Sequence, residues 1–95
     1  MHAKLGLKLE VPEFNRLKEI GRKTSVSAVL GKRIKEFVEG EYKLTPVEVK
    51  GKVQTSILID EKVLQQFRDL AASNTVPMEE AIRQVVATLV RGPDL

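Results

Sequence analysis

Two short stretches of alternating hydrophobicity constrain this 95-residue chain more than any other feature. In the first, Leu5, Leu7, Leu9 and Val11 alternate with Lys4, Gly6, Lys8 and Glu10. In the second, Thr55, Ile57 and Ile59 alternate with Gln54, Ser56 and Leu58. Strand side chains point to opposite faces in turn, so each stretch predicts a half-buried β-strand. A helical pattern follows each stretch at once, and neither has a second strand nearby. A lone strand leaves its backbone N–H and C=O groups without partners, so the two are expected to pair with each other as an antiparallel ribbon.

The order after each strand is the same. Pro12 and Glu13 suit the first turn of a helix, Phe14, Leu17 and Ile20 continue at helical spacing, and Gly21 with the polar run GRKTS breaks the pattern. Ser25 is a good N-cap for a second helix, which carries Val26, Val29, Leu30, Ile34, Phe37 and Val38 on one stripe and ends at Gly40. In the second half, Val63, Leu64, Phe67, Leu70 and Ala71 mark a helix and SNTVP a turn. Met78, Ala81, Ile82, Val85, Val86, Leu89 and Val90 mark a last helix that meets Gly92. The two copies, 1–40 and 53–95, repeat with a period of about fifty residues, an internal duplication of one supersecondary unit. Residues 41–52, EYKLTPVEVKGK, read as a linker that spans up to ~40 Å when extended, enough to return the chain to the far side of the ribbon. The expected fold is mainly α with a two-stranded antiparallel ribbon, its four helices burying their stripes against one another and the ribbon's inner face.

Composition removes several function classes. There is no cysteine, and the single histidine, His2, lies near a terminus expected to fray, so disulfide frameworks and thiolate metal sites are excluded. No Gly-rich phosphate loop appears, and the carboxylates are scattered at helix-surface spacing; an enzyme is not expected, and no cofactor or metal is implied. No apolar run approaches the ~20 residues that span a bilayer, and the start of the chain lacks a signal-peptide pattern, which leads to the expectation of a soluble, cytoplasmic protein with no membrane partner. The net charge of +3 is uneven: residues 1–52 carry +5 and residues 53–95 carry −2. A basic half suits a polyanionic partner, although an ordinary solvated surface accounts for a charge of this size as well.

The second copy, TSILIDEKVLQQFRDLAASNTVPMEEAIRQVV, resembles a ribbon-helix-helix unit: an alternating strand, an acidic helix start, a short polar turn, then a helix opening with Glu79, Glu80, Ala81 and Ile82. The first copy matches in its second half, where TSVSAVL occupies the helix start, and its first helix is shorter, so the alignment through residues 10–14 needs a gap. Together the copies resemble the tandem members of the Arc/MetJ-like DNA-binding superfamily, such as TraY-type accessory proteins of conjugative plasmids and some archaeal viral regulators. The resemblance implies an intramolecular pseudo-dimer that lays its ribbon in the major groove of double-stranded DNA. It implies a transcriptional repressor or regulator, with a relaxosome accessory protein or an antitoxin-like protein-interaction module as alternatives. Further copies along the DNA, or a protein docked on the second motif, are possible partners, and a nucleoid-associated cytoplasmic location follows.

The candidate base-contacting residues are those of the outer strand faces: Lys4, Gly6, Lys8, Gln54, Ser56 and Leu58, with Glu10 at the strand end. Lys donates to guanine, Gln pairs with adenine, Ser contacts either base type and Leu58 suits a thymine methyl, while Gly6 lets the backbone come close. The plain alternative is a solvated face with one stray leucine. Candidate phosphate contacts gather at helix starts, where unpaired N–H groups and the positive dipole end favour anions. These are Ser25, Val26 and Ser27 after Arg22 and Lys23 in the first copy, and Thr75 in the second, whose start is poorer because Pro77 lacks an N–H and Glu79 and Glu80 repel phosphate. Ser25 as a plain N-cap is compatible with both readings. The run Lys32, Arg33, Lys35 reads as a solvated face in a helix lying away from the ribbon.

Overall fold

The computed structural model describes residues 2–46 and 51–91. Strand β1 (His2–Leu9) leads into helix α1 (Val11–Ile20), a 3-10 turn at Gly21–Lys23 and helix α2 (Val26–Glu39). Strand β2 (Val53–Asp60), helix α3 (Glu61–Ser73) and helix α4 (Met78–Arg91) repeat that order. Gly92, the expected stop of the last helix, lies outside the described residues.

The two strands pair antiparallel over their whole length, from His2 opposite Asp60 to Leu9 opposite Val53. His2 is thus part of the strand, where fraying was expected. The alternation sends Leu5, Leu7 and Leu9 of β1 and Ile57 and Ile59 of β2 to one face, all buried. Beneath that face lie Leu17 of α1, Leu30, Ile34 and Phe37 of α2, Leu64, Phe67 and Ala71 of α3, and Ala81, Ile82, Val85 and Val86 of α4, in a single cluster drawn from both halves. The halves interlock: α2 packs beside β2 and α3, and α4 beside β1 and α1. The second helix of each half therefore lies against the strand of the other.

Val11 departs from the expected strand pattern. It opens α1 and is 57% exposed. The helix begins there because Glu10 acts as its N-cap residue: the Glu10 N–H donates to Glu13 Oε1 at 3.0 Å, its C=O accepts from the Phe14 N–H at 2.9 Å, and Pro12 fits the first turn. Through these backbone bonds Glu10 belongs to the helix start, while its side chain stays 43% exposed. Arg83 of α4 reaches the same place, donating to Glu13 and standing 4.0 Å from Glu10 Oε2.

The linker packs against the rest of the fold in its first half. Residues 41–46 are docked, not an extended tether. Glu41 turns the chain with φ 48°, Tyr42 stacks edge-on against Phe37 with ring centroids 4.8 Å apart, and the Leu44 side chain is buried. The Leu44 N–H donates to Asn74 Oδ1 at 3.2 Å and the Thr45 N–H to Gln84 Oε1 at 3.0 Å, which straps the segment to the α3–α4 turn and to α4. At its far end Gly51 lies so close to β1 that a Cβ would stand 2.4 Å from the Leu9 carbonyl carbon, a space only glycine fits. Residues 47–50 lie outside the described residues.

Candidate nucleic-acid interface

Burying one face of the ribbon necessarily exposes the other. Three register pairs stand on it in line: Lys4 opposite Leu58, Gly6 opposite Ser56 and Lys8 opposite Gln54. All six sequence-identified base-contact candidates are therefore neighbours on one face, exposed except for Lys8, which is half-buried. Leu58 is 57% exposed, an apolar side chain held in water next to a lysine. At the centre, a Cβ on Gly6 would meet nothing within 4 Å, so packing within the chain does not demand glycine there.

The start of α2 is fixed along the edge of β2. The Leu58 N–H donates to Ser27 Oγ at 3.0 Å, closing a backbone donor that the two-stranded ribbon leaves unpaired. Ser25 caps the helix, its Oγ accepting from the Ala28 N–H at 3.0 Å. Arg22 and Lys23 are exposed on the 3-10 turn just before it, and Gly21 lets that turn close onto the Val26 backbone, where a Cβ would be 2.8 Å from the Val26 nitrogen. Val26 turns partly inward against the core. Arg22, Lys23, Ser25 and Ser27 are thus gathered at one edge of the ribbon, and neither Arg22 nor Lys23 has an ion-pair partner among the described residues.

The corresponding start of α4 differs. Thr75 adopts φ 57° and its N–H is taken by the Ala72 carbonyl at 3.0 Å, so only its exposed hydroxyl remains for a phosphate. Glu79 stands 3.9 Å from Lys8 Nζ and lines a depression of about 270 Å³ on the ribbon with Gly6, Lys8 and Gln54. Sequence reasoning placed Glu79 as a repulsive group at a helix start but missed this pairing with Lys8, which no local spacing signals. Lys32 and Lys35 of the basic run are exposed, but their helix does not lie away from the ribbon: both border a groove of about 590 Å³ that also takes in Leu58 and Asp60, so that stretch of α2 lies beside the ribbon's end. Within it, Lys35 pairs with Glu39 at 3.8 Å and Arg33 with Glu36 at 3.9 Å.

Asp60 ends β2 and caps α3. Hydrogen bonds from the Lys62 and then the Val63 backbone N–H hold its carboxyl below the ordinary aspartate range. Among the described residues, no group of acidic or histidine side chains is arranged to hold a metal ion, and no helix is long and apolar enough to cross a membrane. The chain matches no family model, no curated protein and no solved structure.

Proposed function

We propose that the chain is a tandem ribbon-helix-helix protein whose two motifs act as an intramolecular pseudo-dimer and bind double-stranded DNA sequence-specifically, as a transcriptional repressor or regulator. The observation that carries this reading is the outer ribbon face. Lys4, Lys8, Gln54 and Ser56 present donors and acceptors from a two-stranded element of the size that enters the major groove. Gly6 leaves its centre low, and Leu58 offers an apolar contact for a thymine methyl. The pseudo-dimer is supported by corresponding contacts at the two helix starts, Ser27 on Leu58 and Glu79 on Lys8. A relaxosome accessory role in plasmid DNA processing uses the same face and the same chemistry, within a cytoplasmic, nucleoid-associated setting.

A protein-docking role of the antitoxin type is the second reading, favoured by exposed Leu58 beside the groove that Lys32 and Lys35 border. Selection from a random duplex pool separates the two. A recovered consensus whose binding is lost on replacing Lys8 and Gln54 supports base readout. Recovery of no sequence preference over bulk DNA overturns it.

A further inference from the structure

If the ribbon enters a major groove, each of its free edges faces a wall of phosphates. At the β2 edge the start of α2 supplies Arg22, Lys23, Ser25 and Ser27. At the β1 edge the start of α4 supplies Glu79 beside Lys8, a carboxylate where a phosphate is expected. The symmetric anchor is thus missing from one side.

Another cationic surface lies along that same strand. Between the beginning of β1 and the outer side of α3 runs a shallow groove of about 470 Å³, lined by Lys4, Lys62, Gln65 and Arg68, with Glu61 as its one carboxylate and no residue of β2. Its polar length follows the helix: Lys62, Gln65 and Arg68 stand three residues apart and so share one face of α3. Lys62 and Arg68 are exposed, and neither they nor Lys4 has an ion-pair partner among the described residues, in contrast to Arg16, Arg33, Lys35 and Arg83, which are all paired. Lys4 belongs both to this groove and to the outer ribbon face, so the two surfaces are continuous.

We infer that Lys62 and Arg68, with Lys4 at the mouth of their groove, form a second phosphate-binding shelf that grips the DNA backbone along the β1 edge. This inference rests on the major-groove reading of the ribbon. The shelf replaces the anchor that Glu79 denies to the start of α4, and it shifts the grip on that wall towards the His2 end of the ribbon. The other half has only part of this set: α1 opens with exposed Val11 and Pro12 where α3 opens with Glu61 and Lys62, and Lys18, at the position of Arg68, lies over the Phe14 ring. The DNA footprint is therefore asymmetric, extended on the flank of α3. A polyanion of regular charge spacing suits the shelf because counterion release rewards each phosphate neutralised by a fixed cation.

The test is the salt dependence of binding to a 30-bp duplex, measured with the whole chain and with the K62Q/R68Q and R22Q/K23Q variants. An R16Q/K43Q variant removes the same charge from residues lining neither the groove nor the ribbon face. For K62Q/R68Q the slope of log affinity against log salt is expected to flatten by about 0.9 for each phosphate that is no longer neutralised, with all sequences weakened alike, while R16Q/K43Q leaves the slope unchanged. Hydroxyl-radical protection should also shorten at one end only. Unchanged slope and footprint for K62Q/R68Q, with R22Q/K23Q still impaired, overturn the shelf and leave the ribbon reading standing. Failure of the unmodified chain to bind any duplex overturns both together.

Discussion

Lys8 Nζ and Glu79 Oε1 stand 3.9 Å apart, bringing a ribbon residue and a helix-start residue from opposite halves of the chain onto the same exposed face. Both side chains keep substantial contact with water, 42% exposed for Lys8 and 60% for Glu79, so the pair adds little to stability, about 0.2–1 kcal/mol at most. On the proposed DNA-binding reading its consequence is for binding, because the lysine proposed to reach a base or a phosphate is shared with a carboxylate. Glu79→Gln is expected to tighten binding to every duplex several-fold, and more at low salt than at high. Titration of the variant at two salt concentrations measures this; equal affinity at both with the helix intact places Glu79 away from the DNA.

The ribbon face itself is tested residue by residue. Lys8→Ala and Gln54→Ala should each reduce the preference for the selected site over random DNA by about 1–3 kcal/mol, and Ser56→Ala by less, with folding unaffected because all three point outward. Competition binding against bulk DNA measures the preference. Specificity preserved in all three variants means the ribbon does not read bases.

Arg83 joins α4 to the start of α1 through Glu13 and Glu10, and its side chain is only 19% exposed. Arg83→Met should lower stability by about 2 kcal/mol, since two carboxylates near each other lose their common cation while a similar apolar stem remains. The drop appears as a lower urea midpoint at unchanged slope. A variant as stable as the parent makes the cluster dispensable.

Because β1 and β2 of one chain complete the ribbon, the unfolding midpoint should not rise with protein concentration. The strap at residues 41–46 supports this closure, and Leu44→Ala is expected to cost about 2–5 kcal/mol as a buried leucine. A midpoint that climbs with concentration indicates strands exchanged between chains.

Asp60 titrates low because two backbone N–H groups bond its charged form. A carboxyl depressed in the folded state stabilises the fold above its unfolded value, roughly pH 4, and that stabilisation is lost as pH falls through the lowered folded value. Asp60→Asn keeps a capping oxygen but cannot ionise, so the stability difference between parent and variant should shrink on acidification. A difference constant from neutral pH down to the acid side of the folded value contradicts this account of the cap.

The period-2 and helical patterns alone located both strands, all four helices and most of the core, because strand alternation and helical stripes are local consequences of backbone geometry. The inward set Leu5, Leu7, Leu9, Ile57 and Ile59, and with it the outward candidates, was legible on that ground. Ser25 as a cap was legible for the same reason, since its partner, the Ala28 N–H, is three residues away. Val11 was misplaced because its apolar side chain continues the alternation, whereas the N-capping of α1 by Glu10 turns the backbone one residue earlier. Only the tertiary structure decided the contacts that cross the two halves: Lys8 with Glu79, Leu58 with Ser27, Arg83 with Glu13, and Leu44 held by Asn74. Each joins residues at least thirty positions apart, and its geometry depends on how α2 lies against β2 and α4 against β1. Helix packing sets those placements through the fit of many side chains at once, so no single stretch of sequence encodes them.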